Sequence, residues 1–374
     1  ASPSEIVVTY ADGPYSSWSA PAVAANDAAN TPFDTVMDEN GDVWLVYSEQ
    51  SSYYLVSRKL TFADGTWSVP SVEPLAPLSL HPAAHVFHYA STCFEGFKAY
   101  RWTDGKGRIF RLPDHVARMR RSAESLRLPV PDTDMLAGMV IDVVHANLAD
   151  IPEPPASLYL RPTLIGTLEN IGAAAAPSTE ATLFVLASPV GDYFAGGATA
   201  LKLLITETAR TTEQLGSTKT GGNYAAALGP TLAAKEKYGV DQVLFCPDGD
   251  VQETGAANFL LISDDEIITK ALDTSFLHGM TRDSILKLGA ELGYTISERN
   301  FTVEELLDKA ATYEACLSGT AATLSPVGTL VYEGKEVPVR DGQPGPNRKK
   351  LQTALQHIQF GLEPASHGWL TDVG

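Results

Sequence analysis

The sequence is short of cysteine, of long apolar runs and of positive charge. Its three cysteines, Cys93, Cys246 and Cys316, are odd in number and far apart, which argues against a disulfide framework and fits a reducing cytoplasm. No Cys pair has metal-site spacing, and no metal is expected. No uninterrupted apolar stretch approaches the roughly 20 residues of a membrane helix, and no membrane partner is expected. Ala1-Ser2-Pro3-Ser4-Glu5 has neither a basic region nor an apolar core, so no secretory signal is read there. Lysine and arginine number 27 against 45 acidic residues, a net charge of −18. Such a surface repels a phosphate backbone and excludes nucleic acid as a partner. An anionic small ligand must be caught by local arginines and helix N-termini, against the global field.

What is present is an ordinary globular balance, 44% apolar and 19% charged, with no compositional sign of disorder over most of the length. A chain of 374 residues exceeds what one hydrophobic core spans and is read as two domains. Residues 1–72 read as short strands and turns, with a faint internal echo. Tyr10-Ala11-Asp12-Gly13 leads to Trp18-Ser19-Ala20-Pro21, and Phe62-Ala63-Asp64-Gly65 leads to Trp67-Ser68-Val69-Pro70. Between them, Val43-Trp44-Leu45-Val46-Tyr47 follows the turn signal Asn40-Gly41-Asp42. Asp114 is expected to cap a helix over 115–127 with Val116, Met119, Ala123 and Leu126 on one face. A second helix is expected over 132–148, and buried strands at 158–160 and 183–187. Pro189 and three glycines in Ser188–Gly197 mark a boundary. This gives a small N-terminal domain (1–187), a linker (188–197) and a large domain (198–374). In the second half, strands are expected at 200–206 and 242–246. Helices are expected at 224–238 (ending at Gly239), 282–293 and 347–359. The spacing is too irregular for a doubly wound sheet, so the fold class is α+β.

Four segments carry candidate chemistry. In Ser217-Thr218-Lys219-Thr220-Gly221-Gly222-Asn223-Tyr224, Lys219 precedes a glycine pair that opens a helix. A lysine buried at such a place loses its proton more readily, and a neutral lysine forms Schiff bases; the plainer reading is a solvated loop lysine. Glu253, in Gln252-Glu253-Thr254-Gly255-Ala256-Ala257-Asn258, reads as a buried acid facing a cation or as a turn residue. Leu277-His278-Gly279-Met280-Thr281-Arg282 ends a loop and opens a helix, which makes it either an anion site or an ordinary cap. Ser318-Gly319-Thr320-Ala321-Ala322 is small enough for close approach to a ligand, or simply tightly packed.

Together these segments resemble the branched-chain aminotransferases, a family of pyridoxal-phosphate enzymes of fold type IV. The resemblance runs from about residue 53 onward. It includes His88-Tyr89, the run Phe94-Glu95-Gly96-Phe97-Lys98-Ala99-Tyr100-Arg101, Arg118-Met119, Tyr159-Leu160-Arg161-Pro162 and the tail motifs Ile358-Gln359-Phe360-Gly361 and His367-Gly368-Trp369. It implies a smaller α/β domain, a larger pseudo-barrel domain and a homodimer whose sites borrow residues across the interface.

By matching motif positions, the resemblance makes Lys219 the Schiff-base lysine and proton shuttle. Glu253 becomes the partner of the pyridinium nitrogen and Tyr224 of the phenolic oxygen. Arg118, Thr281 and Thr320 become the phosphate ligands, with Leu277 and Met280 against the cofactor. Tyr89, Phe94 and Tyr159 form an apolar wall, Arg161 meets the glutamate side chain, and Thr320-Ala321 amides meet the substrate α-carboxylate. The implied reaction moves the amino group of L-leucine, L-isoleucine or L-valine to 2-oxoglutarate in a ping-pong cycle.

Three departures stand out. Residues 1–52 match poorly, with Tyr53 the nearest candidate for an aromatic that usually precedes the Trp67–Pro70 segment. Ala256 stands where many members carry a larger or hydroxylated residue. No Cys-x-x-Cys pair follows Thr320, so the thiol switch of some animal members is not expected. Two alternatives stay open. One is a D-amino-acid or (R)-amine transaminase, or an aminodeoxychorismate lyase, of the same fold. The other is a β-rich N-terminal binding module with secondary catalysis.

Overall fold

The computed structural model describes residues 56–374, apart from 64, 173–175, 192–197, 212–213 and 365–366, together with four short strands before residue 56. The chain divides into two compact units, Ala1–Leu55 and Val56–Gly374. In the first, Ile6–Val8 pairs antiparallel with Ala22–Ala25, and Asp34–Met37 with Val43–Val46. The first copy of the echo up to Pro21, the turn at 40–42 and Tyr53 lie outside the described residues. In the second copy, Thr66–Trp67 and Ser71–Pro74 both pair with Val56–Ala63.

Within Val56–Gly374 lie two nine-stranded sheets. The first is antiparallel throughout. Its order is Leu370–Val373, Gly107–Phe110, Phe97–Arg101, Ser157–Gly166, Ala181–Val190, Val56–Ala63 and Thr66–Trp67. Thr92–Phe94 pairs with the far half of Ser157–Gly166. The period-two burial of Ala181, Leu183, Val185 and Ala187 turns one face inward. The helix Thr133–Ala146 packs against this strand and buries Met139, Val140, Val143 and Val144.

In the second sheet, Glu253–Thr254 pairs with Gln242–Phe245 on one side and Asn258–Ile262 on the other. With Leu201–Thr206, Thr323–Tyr332 and Glu314–Gly319, these strands close a six-membered ring. This is the pseudo-barrel expected from the resemblance. Leu203, Leu244, Phe259, Leu261, Leu317 and Val327 pack in one buried cluster with it. A second cluster unites Tyr100 and Phe110 of the first sheet with Leu260, Ile285, Leu351 and Leu355 around the barrel. One apolar core therefore holds both sheets together, each fully buried leucine contributing about 1.5–3 kcal/mol.

Seven helices are described: α1 (His85–Tyr89), α2 (Leu112–Ser125), α3 (Thr133–Ala146), α4 (Gly221–Tyr238), α5 (Met280–Glu291), α6 (Val303–Lys309) and α7 (Pro346–Gln359). α2 begins earlier than expected. Pro113 suits the first turn, where its missing N–H costs nothing, and Arg111 at φ 58° is the N-cap. Asp114 therefore lies in the first turn and accepts from Arg111 Nε at 2.5 Å. Asp132 does cap α3, accepting from the amides of Asp134 and Met135. Gly239 closes α4 in the left-handed region at φ 63°. α1 and α6 are too short for their periodicity to show in sequence. The expected strands are parts of ten-residue strands, because Pro162 and Pro189 sit inside them and prolines argue against strand on sequence. Ser188–Val190 accordingly ends a strand, and 192–197 of the expected linker lie outside the described residues.

Candidate active site

A cleft lies where the barrel edge meets α2, the Lys219 bend and the start of α5. It encloses about 360 Å³ of empty space, part of it open to solvent. Arg118, Lys219, Glu253, Asn258, Leu277, Met280, Thr281, Ser318 and Thr320 line it. Segments far apart in sequence thus share one cavity.

Lys219 occupies the bend before α4. Its amide donates to Ser122 Oγ of α2 at 3.0 Å, its carbonyl accepts from Phe94 N at 3.1 Å, and the Thr220 hydroxyl donates to Thr92 O at 2.7 Å. In the first turn of α4, Asn223 ties the bend back through the carbonyls of Leu215 and Thr218. A backbone held at this many points aims its side chain. Lys219 Nζ donates to the Tyr224 hydroxyl at 2.6 Å and lies 5.0 Å from the centre of the Phe94 ring. Burial, aided by the Arg118 charge, lowers the Lys219 ammonium to about 8, since a desolvated cation sheds its proton more easily.

Glu253 is buried at 3% exposure. Arg210 Nη2 lies 2.5 Å from its Oε1. The Leu277 amide donates to Oε1 and Asn258 Nδ2 to Oε2, both at 3.1 Å. Burial pushes its carboxyl up to about 7, against the pull of Arg210. Asn258 also donates to the Leu277 carbonyl at 2.8 Å, which fixes the loop entering α5. A Cβ at Gly279 would strike Asn258 Oδ1, so glycine is required there by close approach.

Arg118 is gripped by Glu95. Its Nε and Nη2 donate to the two carboxylate oxygens at 2.7 Å, and Nη1 donates to His278 O at 2.8 Å. Burial alone would raise the Glu95 carboxyl, yet Arg118 and His115 hold it well below the usual carboxylate range. No side chain among the described residues caps the N-terminus of α5. Its first amides therefore stay uncapped at the cleft wall formed by Met280 and Thr281. The Thr320 hydroxyl donates to Gly96 O at 3.0 Å and joins the two sheets at the cleft.

Of the residues expected to meet substrate, Phe94, Tyr159 and Arg161 come together. The Phe94 and Tyr224 rings are 5.2 Å apart. The Arg161 guanidinium lies 4.7 Å over Phe94 and donates to the Tyr159 hydroxyl at 2.7 Å, while its buried Nε has no partner among the described residues. Gly96 faces the Tyr159 hydroxyl, where a Cβ would collide. Tyr89 and Ala321 stand apart from this group. Tyr89 packs on His85 at 4.6 Å and donates to Ile171 O at 2.5 Å. Ala321 is exposed, and its carbonyl accepts from Lys98 Nζ at 3.0 Å.

Sequence reasoning assigns no role to Glu95, His115, Ser122, Arg210 or Asn258. His115 and Arg118 share one face of α2 at i, i+3, a signal available in the sequence. Arg210 follows a strand with no local pattern, and only folding brings it to Glu253.

The family described as amino-transferase class IV matches residues 92–330. The cytosolic branched-chain-amino-acid aminotransferase of Saccharomyces cerevisiae is 36% identical over 337 residues, covering 85% of this chain and 89% of that protein. The branched-chain-amino-acid aminotransferase of Mycobacterium tuberculosis H37Rv is 33% identical over 369 residues, covering 94% and 97%. Among solved structures, that of the T.th. branched-chain amino acid aminotransferase with pyridoxamine 5′-phosphate has a TM-score of 0.71 at 27% identity, covering 83% of this chain and 97% of its own. The Escherichia coli branched-chain amino acid aminotransferase has a TM-score of 0.70 at 26% identity, covering 85% and 100%. The chain belongs to the branched-chain-amino-acid aminotransferases of class IV.

Proposed function

We propose that the chain moves the amino group of L-leucine, L-isoleucine or L-valine to 2-oxoglutarate, donor and acceptor taking turns in the cleft, with pyridoxal 5′-phosphate held there. One observation carries the reading: the Lys219 amine and the Glu253 carboxyl line the same cavity, the one lowered to about 8 and the other raised to about 7.

The donor set fits the cofactor. The buried Ser318 Oγ at the cleft has no partner among the described residues, and the α5 amides are uncapped. Arg118 uses three N–H donors on Glu95 and His278 of the five a guanidinium carries. Unspent donors gathered in an acidic chain suit an anionic ligand. When bound, pyridoxal phosphate supplies an aldehyde carbon and a ring that takes up the electron pair left as a substrate Cα–H bond breaks.

Arg118, Thr281, Thr320 and the α5 amides would hold the phosphate. Glu253 would face the ring nitrogen, Tyr224 the phenolic oxygen, and Leu277 and Met280 the body of the ring. Lys219 Nζ would take the substrate Cα proton. Phe94 and Tyr159 bound the aliphatic side chain. Arg161, with its unpartnered Nε, receives the second carboxylate of glutamate or 2-oxoglutarate. The Thr320 amide, at the cleft wall, receives the α-carboxylate. The reading includes a homodimer, and Tyr89 serves as a wall residue only within it. It also includes the cytoplasm, where the buried free thiols Cys93, Cys246 and Cys316 stay reduced. No helix among the described residues is long and apolar enough to cross a membrane.

A half-reaction panel tests the proposal. Protein loaded with pyridoxal phosphate is mixed with L-leucine, L-glutamate, D-alanine or (R)-1-phenylethylamine, and the cofactor band is followed. L-leucine and L-glutamate should convert it fastest; faster conversion by D-alanine or the amine overturns the substrate assignment. Arg161→Gln should raise the KM for 2-oxoglutarate about tenfold to a hundredfold, the worth of a charged hydrogen bond. The leucine half-reaction should change little, and equal damage to both would remove Arg161 from the carboxylate.

Cofactor uptake should also depend on pH. Only neutral Lys219 attacks the aldehyde, so the uptake rate should climb about tenfold per pH unit up to about 8 and then level off. A climb continuing toward about 10.4, the ordinary lysine range, would mean that the amine is not enclosed.

A further inference from the structure

We infer that Glu95 and His115 are positioning residues for the phosphate subsite: acting through Arg118, they set how strongly the cleft prefers a phosphorylated ring to an unphosphorylated one. This rests on the reading of the cleft given above and goes beyond it, because neither residue lines the cleft beside Lys219 and Glu253.

Glu95 presents an electrostatic puzzle. It is a carboxylate at 1% exposure, set against the arginine that a phosphate dianion is to meet. The Glu95–Arg118 pair carries no net charge, which weakens the attraction Arg118 can offer a phosphate while sparing the fold a buried unpaired cation. What Glu95 contributes is direction. Its oxygens take Arg118 Nε and Nη2 at 2.7 Å each, a two-point fork that fixes the plane of the guanidinium. The third bond, Nη1 to His278 O at 2.8 Å, ties that plane to the loop running into α5. Two N–H groups remain, and their aim is fixed by the three that are occupied. Glu95 itself is anchored, its amide donating to Pro162 O at 2.9 Å.

His115 completes the support. Its Nδ1 lies 2.7 Å from Glu95 Oε2, and its ring stacks on Phe97 with centroids 4.5 Å apart and planes 21° from parallel. Burial holds it below the usual histidine range, so the ring is neutral and donates through Nδ1. It steadies the carboxylate without adding a second cation. His115 also lines a small cavity together with Thr281 and Thr320, two of the proposed phosphate ligands. A merely structural ion pair between strand and helix would affect both ring forms alike. A device that aims Arg118 affects only the form that bears a phosphate.

The test uses the full-length chain freed of cofactor, with dissociation constants measured for pyridoxal phosphate and for pyridoxal. The native chain should prefer the phosphorylated form strongly. Glu95→Gln should narrow that preference by about tenfold to a hundredfold, with the pyridoxal constant little changed. His115→Phe, which keeps the stack on Phe97, should narrow it by a smaller factor. An unchanged preference in Glu95→Gln, or equal weakening for both ring forms, overturns the inference. If Glu95→Gln does not fold, Glu95→Asp keeps the charge but shortens the reach, and the same two outcomes decide. Failure of the native chain to bind pyridoxal phosphate would instead sink the cofactor assignment and the inference with it.

Discussion

Replacing Lys219 with alanine is expected to lower transamination by on the order of 10⁴-fold while leaving the fold intact. Among the described residues no other lysine lines the cleft, so none of them can take over the proton. The side chain supports little structure, its one hydrogen bond among the described residues going to the Tyr224 hydroxyl. The ammonium is also disfavoured by its surroundings. Its pKa in the fold lies near 8, below the ordinary range, so at neutral pH the folded state carries a charge it would rather lose. By linkage, stability attributable to this group rises as pH climbs from about 8 toward about 10.4 and is absent below. At pH 7 the melting temperature of Lys219→Ala should therefore hold or rise slightly. The checks are a leucine half-reaction followed by mass spectrometry of the 2-oxo acid and a thermal melt. Residual turnover within tenfold of the native rate would remove Lys219 from the chemistry.

Glu253→Gln is expected to damage both rate and stability, and the two can be separated. The rate should fall by about 10²–10³, the usual loss when one preorganised charge contact is removed. Stability should fall because Arg210, whose side chain is 4% exposed, is left as a buried unpaired cation. The cost is about 3–5 kcal/mol, or on the order of 5–15 °C in Tm. Adding Arg210→Met should restore much of the melting temperature, because both members of a buried pair are then gone. It should restore none of the rate. Recovery of rate with stability would reduce Glu253 to a structural residue.

The fold and the site are legible in the sequence to different degrees, for physical reasons. Helices with caps and one apolar face are readable: Asp132 before α3 and Gly239 after α4 carry local signals that the structure retains. The start of α2 is easily misplaced because Pro113 looks like a breaker and is in fact suited to a first turn. The long strands are cut short on sequence by Pro162 and Pro189, which the sheet accommodates. In the cleft, Lys219, Glu253, Thr281 and Thr320 lie in local segments that are ambiguous singly and become recognisable when read together. Arg210 and Glu95 cannot be given their partners, because the contacts Arg210–Glu253 and Glu95–Arg118 exist only once strand, bend and helix are assembled. Buried charge pairs of this kind leave no periodicity in a sequence.

The strand Leu370–Val373 has a consequence for how the protein is made. It lies beside Gly107–Phe110, with Leu370 opposite Phe110, and the carbonyl of Trp369 just before it accepts the Arg111 amide at 2.6 Å. During translation the first sheet therefore has an unfilled edge until after the last barrel strand, Thr323–Tyr332, has been made. Final closure of that sheet must follow barrel synthesis, and a nascent chain stalled before residue 370 would expose a strand edge to any chaperone or neighbour able to pair with it.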